Sequence, residues 1–320
     1  MKILVTGGAG YIGSHMVKLL VDTGAEVSVI DDLSTGHADA VRGAQLLQGD
    51  IADIRNTANL LKKRGIEAVV HFAGASQVAE SVANPAKYQA RNVDASLALL
   101  QAMRDAGVAR LVFSSSAAVY GEPQRVPIDE AHPTQPVNPY GASKLAVERK
   151  LAECSAAYGL RAVSLRYFNA AGADGGLGER HEPETHLIPL VLKSALRKTP
   201  ISVYGTDYPT RDGTCVRDYV HVSDLCSAHL LALERLDKGH DCFNLGNGEG
   251  FTVMEVIAAA QRVTGRRIEM RLSERRPGDP PALVADATKA RRVLGWQPQR
   301  SALERIVADA WQFEQVSSAR

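Results

Sequence analysis

Short apolar runs alternate with longer amphipathic segments through the first half of the chain. The runs are rich in Val, Ile and Leu and predict strands at 3–5, 27–30, 46–48, 68–72, 111–114 and 162–165. Between them, Ala, Leu and Val recur every three or four residues, which predicts helices at 12–23, 57–64, 85–106 and 139–158. Strands that alternate with helices pair in parallel, because each connection crosses over the sheet. The pattern therefore predicts an α/β fold with a doubly wound parallel sheet.

The character of the chain changes after Asn169. Residues 170–183 hold four glycines among charged residues and predict a long loop. Helices are expected at 187–197, 224–236, 253–264 and 303–314, with short strands between them. We expect a nucleotide-binding domain at 1–169, to which the chain returns near 214–246, and a smaller α+β substrate-binding domain at 170–320.

A glycine cluster follows the first predicted strand and opens the first predicted helix. Gly7, Gly10 and Gly13 have the spacing G-x-x-G-x-x-G. In this context glycines allow a tight turn, a close approach to a pyrophosphate and close packing of the helix on the strand. The arrangement is typical of a Rossmann dinucleotide-binding domain.

Acidic residues end the second predicted strand. Asp31 and Asp32 follow Gly13 at the distance at which a carboxylate accepts hydrogen bonds from the adenosine ribose and repels a 2′-phosphate. The predicted cofactor is therefore NAD rather than NADP. The next strand ends predict further cofactor contacts, with Asp50 and Ile51 beside the adenine and Phe72, Ala73 and Gly74 behind the pyrophosphate.

Three residues near the fifth strand predict proton-transfer chemistry. Ser116 follows that strand, and Tyr140 and Lys144 lie one turn apart on one face of the next helix. A free tyrosine titrates near pH 10. A nearby ammonium, together with the positive nicotinamide ring, is expected to favour the phenolate so that Tyr140 acts as a base.

The composition of the chain limits the classes of binding partner that we expect for the protein. The chain has 37 Lys and Arg against 36 Asp and Glu, a formal net charge of +1 that predicts no binding to nucleic acid or to an anionic membrane. No apolar run approaches the ~20 residues of a membrane span, and the amino-terminal run is too short for a signal peptide. The four cysteines of the chain are sparse and form no C-x-x-C pair, so we expect a reducing, cytoplasmic location and no metal site.

These motifs together resemble the extended short-chain dehydrogenase/reductase family and, within it, the UDP-sugar 4-epimerases. The resemblance covers nearly the whole chain and is carried by TGGAGYIGSH at 6–15, HFAG at 71–74, FSSSAAVYG at 113–121, NPYGASK at 138–144, LRYFNAAGA at 165–173, ETHLIP at 184–189, YGTDYPTRDGTCVRDYVHVSDL at 204–225, NLGNG at 244–248 and RRPGDPP at 275–281.

The resemblance implies interconversion of UDP-glucose and UDP-galactose. Tyr140 would take the proton of the sugar 4-hydroxyl while hydride leaves carbon 4 for NAD⁺, with Ser116 assisting. The 4-keto sugar would then turn and take the hydride back on its other face, so NAD would stay bound. Lys144 would also hold the nicotinamide ribose. Further cofactor contacts implied are Tyr11, Ile12, Asn92, Ser114 and Tyr167.

The same resemblance places the UDP-sugar on the second part of the chain. Arg217 and Arg276 are candidates for the diphosphate, because a guanidinium offers permanently charged donors to phosphate oxygens. The other implied substrate residues are Asn169, His186, Leu187, Tyr204, Asp279 and Leu283, beside Ser116 and Tyr140. In the family, the size of the side chain at the position of Leu283 sets the width of the sugar site. Leucine is intermediate in size, so some activity on UDP-GlcNAc and UDP-GalNAc is an expectation that stays open.

Alternatives within the fold remain. Sugar-nucleotide dehydratases and decarboxylases of this family carry carboxylates just after the strand-end hydroxyl, where this chain has Ala117 and Ala118. An epimerase of UDP-xylose/UDP-arabinose or UDP-glucuronate stays open, as does a non-enzymatic NAD sensor, which usually lacks the tyrosine or the lysine. Ser76 replaces a lysine near the cofactor and predicts weaker retention of NAD. A homodimer through helices at 92–106 and 139–157 is expected.

Overall fold

The computed structural model describes residues 1–237, 239–276 and 279–318. Its strands are β1 (Lys2–Thr6), β2 (Glu26–Asp31), β3 (Gln45–Gln48), β4 (Ala68–His71), β5 (Arg110–Ser114), β6 (Arg161–Tyr167), β7 (Asn169–Ala171), β8 (Ile201–Tyr204), β9 (Val216–His221), β10 (His240–Leu245), β11 (Gly250–Thr252), β12 (Met270–Ser273) and β13 (Ala282–Leu283). Pro277 and Gly278, in the motif at 275–281, lie outside the described residues.

The α-helices of the described chain are α1 (Tyr11–Asp22), α2 (Ile54–Arg64), α3 (Val78–Ala83), α4 (Pro85–Tyr88), α5 (Ala95–Ala106), α6 (Pro139–Tyr158), α7 (Leu187–Arg197), α8 (Val222–Glu234), α9 (Val253–Thr264) and α10 (Leu303–Ser317). None of them, within the described ranges, has both the length and the hydropathy needed to cross a membrane.

Seven parallel strands form the main sheet, in the order β10-β6-β5-β4-β1-β2-β3. The order reverses between β4 and β1, and the connections that follow these two strands lead to helices on opposite faces, which leaves a crevice beyond their carboxyl ends. Helices α1 and α8 cover one face, and α2, α5 and α6 cover the other. This architecture confirms the predicted doubly wound α/β fold.

Both faces of the main sheet are buried, which explains the continuous apolar runs of its strands. Along β1, Ile3 and Val5 pack into the core under α1 and α8, whereas Leu4 packs into the core under α2 and α5. Successive residues of a strand point to opposite faces, and a sheet covered on both faces needs apolar residues at each position.

The smaller part of the fold surrounds β9. This strand pairs with β7 and β13 in parallel and with β11 in antiparallel orientation, and β8 pairs with β12 separately. Helices α7, α9 and α10 bury Val191, Ile257 and Ile306 in one shared core. Strand β10 leaves this region and joins the edge of the main sheet beside β6.

Two details differ from the sequence-based expectations. The helix predicted over 85–106 contains a π-helical segment at Gln89–Asp94, between α4 and α5. The loop predicted over 170–183 begins inside β7, because residues 169–171 find their partners in Tyr219–His221, about 50 residues further along the chain. Neither the widened helical turn nor this distant pairing has a signal in the local pattern.

Candidate active site

A cavity of about 580 Å³ lies along the carboxyl ends of the central strands of the main sheet and extends towards β9 and β13. Most of the residues predicted for the site line this cavity, namely Gly7, Gly10, Tyr11, Ile12, Gly13, Asp31, Asp32, Asp50, Ile51, Phe72, Ala73, Gly74, Ser114, Ser116, Tyr140, Lys144, Tyr167, Asn169, His186, Arg217, Asp279 and Leu283. Ser76 also lines it.

Four predicted residues do not line the cavity, namely Asn92, Leu187, Tyr204 and Arg276. Asn92 is buried in the π-helical segment, where its side chain bonds both the N–H and the C=O of Ala75 and donates to Ser143 Oγ. It therefore supports the loop after β4 from behind. The Arg276 guanidinium stacks on the Tyr204 ring at 4.1 Å from the ring centre, and Leu187 begins α7.

The glycine loop is shaped by close backbone contacts. Gly7 has φ of +69°, and a Cβ there would lie 2.5 Å from the backbone N of Ala73. A Cβ on Gly13 would lie 2.1 Å from the carbonyl oxygen of Gly7. Gly10 precedes α1 and no side chain caps that helix, so its free N–H groups border the cavity. This end of α1 fits an anionic pyrophosphate, because both the free donors and the helix dipole favour negative charge.

We expect Gly13→Ala to lower the free energy of unfolding of the NAD-free protein by about 1–3 kcal/mol, since the added methyl group must displace backbone. Gly10→Ala is the matched control within the same loop. Its Cβ meets only the Gly7 carbonyl oxygen, at 3.4 Å, and the φ of −80° suits alanine. Urea unfolding of the two variants measures the difference, and equal stabilities would contradict this packing argument.

The acidic end of the cavity is held by β2 and the loop after it. Asp31 accepts from the backbone N–H groups of Ala9 and Leu33, both at 2.9 Å. Asp32 pairs with Arg91, a cavity residue that the sequence analysis missed. Burial alone would raise the pKa of Asp32, but hydrogen bonds from Ser34 and Arg91 outweigh it and hold that pKa below its ordinary value. The carboxylate therefore stays ionised as an acceptor for hydroxyl groups.

Tyr140, Lys144 and Ser116 meet at the middle of the cavity. Lys144 Nζ donates to the Ser114 carbonyl oxygen at 2.9 Å and lies 5.8 Å from the centre of the Tyr140 ring. Burial lowers the pKa of Lys144 to about 8, against the opposing charge of Glu148. Burial also raises the pKa of Tyr140, and a hydrogen bond with Ser116 lowers it only in part. The expected phenolate therefore requires the second charge invoked in the sequence analysis, that of the nicotinamide ring.

A buried ionic network supports this centre from below. Glu148 lies one turn beyond Lys144 on α6, and its carboxylate binds the Arg166 guanidinium with both oxygens. The Glu148 carboxylate also accepts from Ser115 Oγ at 2.5 Å. In the chain, Ser115 stands between Ser114 and Ser116, the two serines that line the cavity. Arg166 in turn donates to the Tyr120 hydroxyl at 3.0 Å. The network holds the end of β5 against α6, and sequence reasoning did not find it.

The segment 172–186, which we call the border segment, forms one wall of the cavity. Its Glu179, His181, Glu182, Pro183 and His186 line the cavity, and all except His186 were missed by the sequence analysis. The segment is tied to the nucleotide-binding part of the fold at several places, the first being the Tyr11 hydroxyl, which donates to the Gly172 carbonyl at 2.6 Å. Arg180 forms a bidentate pair with Asp39, Arg42 donates to the Gly175 carbonyl, and Gln77 donates to the Pro183 carbonyl.

The far end of the cavity carries the residues predicted for the nucleotide of the substrate. Arg217 pairs with Asp279 at 3.2 Å and donates to the Pro280 carbonyl at 2.9 Å. Leu283 is the register partner of Arg217 across β13 and β9. Asn169 donates to the Asp218 carbonyl at 3.0 Å, which fixes the start of β7 beside β9. This end offers the guanidinium of Arg217 on β9 and the carboxylate of Asp279 in the loop before β13.

Comparison with known proteins agrees with this arrangement. Residues 3–246 match the model of the NAD dependent epimerase/dehydratase family. The UDP-glucose 4-epimerase of Streptomyces lividans is 54% identical over 316 residues, which cover 98% of this chain and 95% of that protein. A solved UDP-glucose 4-epimerase from Brucella ovis in complex with NAD is 47% identical, covers 97% of each chain and gives a TM-score of 0.94.

A second solved structure carries a nucleotide as well. The UDP-glucose 4-epimerase from Bifidobacterium longum, in complex with NAD⁺ and UDP, is 37% identical, covers 99% of each chain and gives a TM-score of 0.94. The resemblance stated from the motifs is thereby confirmed over nearly the full length. The chain belongs to the NAD dependent epimerase/dehydratase family and, within it, to the UDP-glucose 4-epimerases.

Proposed function

We propose that the protein interconverts UDP-glucose and UDP-galactose and that it keeps NAD bound throughout. The observation that carries this proposal is one continuous cavity with a glycine loop and an acidic pair at one end, Tyr140, Lys144 and Ser116 at its centre, and Arg217 with Asp279 at the other end. The relatives that cover nearly the whole chain carry this activity in their names.

The glycine loop and Asp31 fit NAD, which would supply a hydride acceptor and donor for carbon 4 of the sugar. Tyr140 takes up the proton of the 4-hydroxyl, and Ser116, which is near enough to lower the pKa of the Tyr140 phenol, orients this transfer. Lys144 keeps a positive charge close to the tyrosine. Arg217 and Asp279 anchor the nucleotide, so the sugar can turn its other face towards the cofactor while the substrate stays bound.

Two alanines support epimerisation over elimination of water. Ala117 and Ala118 line the cavity directly after Ser116, at the end of β5. A dehydratase needs an acid and a base at this place, and a methyl group can serve as neither. The intact Tyr140, Lys144 and Ser116 also weigh against a protein that only senses NAD.

The direct test is to incubate the purified protein, without added cofactor, separately with UDP-galactose, UDP-GalNAc, UDP-xylose and UDP-glucuronate. We expect UDP-glucose to appear from UDP-galactose, with NAD released on denaturation. Activity that appears only with added NAD would show weak retention, consistent with Ser76. Absence of an epimer even with NAD would overturn the proposal, and conversion of another substrate alone would reassign the sugar.

The side chain of Leu283 is proposed to set the width of the sugar site. Leu283 is half-buried and packs against the cluster of Ala117, Tyr120 and Ile128. We expect the protein to accept UDP-GalNAc to some extent, and Leu283→Tyr to lower kcat/KM for UDP-GalNAc relative to UDP-galactose by at least about tenfold, because the larger ring takes the space of the N-acetyl group. Leu283→Met, of similar volume, is the control. Equal ratios in both variants would exclude this residue as the gate.

We also propose a homodimer formed through α5 and α6 of two chains. Along α6 the exposed residues include Ala142, Ala152 and Ala156, whose small side chains allow two helices to pack closely. Light scattering is expected to give a mass near twice the 34.3 kDa of one chain. A monomer at micromolar concentration would contradict this proposal.

The division into a nucleotide-binding domain at 1–169 with a return near 214–246, and a UDP-sugar domain at 170–320, remains a proposal. It is supported by β10, which joins the main sheet, and by the separate core of α7, α9 and α10. A cytoplasmic location is proposed from the four cysteines, all of which are free thiols. Fractionation together with a cytoplasmic marker enzyme tests that location.

A further inference from the structure

We propose that Glu179, His181 and His186 form a binding site for a divalent transition metal ion of the Zn²⁺ class. The site lies on the border segment, in the wall of the cavity, and its test does not depend on turnover of a UDP-sugar. Among the described residues, this is the one group of three or more His, Cys, Asp or Glu residues whose potential ligand atoms converge, with all of those atoms within 4.8 Å of one another. The sequence analysis expected no metal site, since it looked only at cysteines.

The distances need only a small adjustment for coordination. Zinc binds imidazole nitrogen and carboxylate oxygen at about 2.1 Å, so two ligands of one ion lie at most ~4.2 Å apart. Glu179 Oε1 is 2.7 Å from His181 Nδ1, and Glu179 Oε2 is 3.8 Å from His186 Nδ1. The Glu179 carboxylate therefore already bridges the two imidazoles, and side-chain rotations that bring all of the ligand atoms from within 4.8 Å to within ~4.2 Å of one another would place three ligands around one ion.

The charge of Glu179 calls for a cation at this place. Its side chain is only 10% exposed, and its ion-pair partners within the described chain are the two imidazoles. Glu179 Oε1 also accepts from the backbone N–H groups of Arg180 at 2.9 Å and of His181 at 3.1 Å, so all of its partners in the described part of the chain belong to the border segment. A divalent cation would add a full charge partner for this carboxylate and would use imidazole nitrogens as further ligands.

A fourth oxygen stands next to the three ligands. Glu184 is 5% exposed, and its Oε1 lies 2.8 Å from His186 Nδ1. Its second oxygen, Oε2, is buried and has no hydrogen-bond partner, with the Lys193 ammonium 4.0 Å away. An unpartnered buried carboxylate oxygen is costly, and the other oxygen of Glu184, Oε1, is an acceptor that orients the His186 ring.

There is also room beside the cluster. A small cavity of about 20 Å³ borders Glu179 and His186 but not His181, and its lining combines Tyr11 and Glu314 with nine residues that are mainly apolar, among them Ile188 and Leu192. A space of this size holds one water molecule or one ion. Oxygen and imidazole ligands in this proportion suit zinc, whereas a site for Ca²⁺ or Mg²⁺ would consist of oxygens alone.

Metal binding would have a mechanical consequence for the cavity wall. Glu179 and His181 lie in the middle of the border segment, and His186 caps the start of α7. One ion ligated by all three would cross-link the middle of the segment to the start of that helix. Bound metal would therefore restrain this wall of the cavity.

The test measures Zn²⁺ binding to the NAD-loaded protein by competition with a chromophoric chelator, after removal of all unbound NAD and UDP-sugar because free diphosphates also bind zinc. We expect one ion per chain, and at least about tenfold weaker binding for both His181→Ala and Glu179→Gln. His240→Asn is the matched control, because His240 and Cys242, with Nε2 and Sγ 3.9 Å apart, form the alternative soft site. Circular dichroism verifies that each variant is folded.

A second measurement needs no variant. Crystals soaked in zinc chloride should show an anomalous peak at the zinc edge between Glu179, His181 and His186. Replacement by Co²⁺ should give visible absorption bands that His181→Ala removes. Zinc binding that is unchanged in Glu179→Gln and His181→Ala, that falls only in His240→Asn, or that gives a peak elsewhere would overturn the proposal.

Discussion

Replacing Tyr140 by Phe is expected to lower kcat for UDP-galactose by about 10²–10⁴-fold, the contribution typical of a positioned general base, and to change KM little. The phenol oxygen is the group in the cavity that is placed to take the proton of the 4-hydroxyl, in contact with Ser116 and above Lys144. Phenylalanine keeps the ring and its packing against Tyr88, so binding is preserved. Steady-state kinetics with a coupled assay for UDP-glucose measures the effect.

Tyr167→Phe is the matched control for that substitution. Tyr167 also lines the cavity, and its hydroxyl bonds the Ser114 hydroxyl, so the same atom is removed a short distance away. We expect a loss in kcat of less than about tenfold, the size of one hydrogen bond. Because burial raises the pKa of Tyr140, the wild-type rate should rise with pH as this group loses its proton. A Tyr140→Phe enzyme with comparable kcat and the same pH profile would exclude Tyr140 as the base.

Replacing Glu148 by Ala is expected to lower the free energy of unfolding by about 3–5 kcal/mol, the cost of leaving a buried charge without its partner. The Glu148 and Arg166 side chains are 3% and 8% exposed, and Glu148 contacts Arg166 with both carboxylate oxygens. Truncation also removes the acceptor of Ser115 and empties space under the catalytic centre. Urea unfolding followed by circular dichroism measures the loss.

The double variant Glu148→Ala with Arg166→Met is the control for this explanation. It removes both charges, so it should recover part of the stability that the single variant loses, because no uncompensated charge remains in the core. Arg149→Ala, next in the chain and exposed, should change stability by less than about 0.5 kcal/mol. A double variant less stable than the single one would show that shape, rather than charge, dominates at this position.

Local pattern was enough for the elements that carry the chemistry. The glycine loop is encoded within seven residues, and its context of strand and helix follows from periodicity on either side. The Tyr140 and Lys144 pair depends only on helical spacing, and α6 spans Pro139–Tyr158 as predicted. Helices α7 and α9 likewise have the predicted bounds. These features rest on interactions between near neighbours in the chain, which a sequence displays directly.

The parts that sequence reasoning missed depend on distant partners. Arg91 meets Asp32 across 59 residues, and Arg180 meets Asp39 across 141. Arg166 and Glu148 are separated by 18 residues, but they meet only because β6 and α6 pack together. In the sequence, the border segment is recognised only as a loop with glycines and charged residues. The turns of this loop bring Glu179, His181 and His186 together, and the sequence pattern does not predict those turns.

The sequence by itself therefore determined the doubly wound fold and the nucleotide loop and placed the candidate proton-transfer residues on their elements, because each follows from spacing within one or two elements. Only the tertiary structure decided which charged side chains meet, which predicted residues border the cavity, and that Asn92 and Arg276 lie behind or beside it. The physical reason is that charge pairing and burial act between atoms that are close in space, and spacing along the chain does not encode that distance.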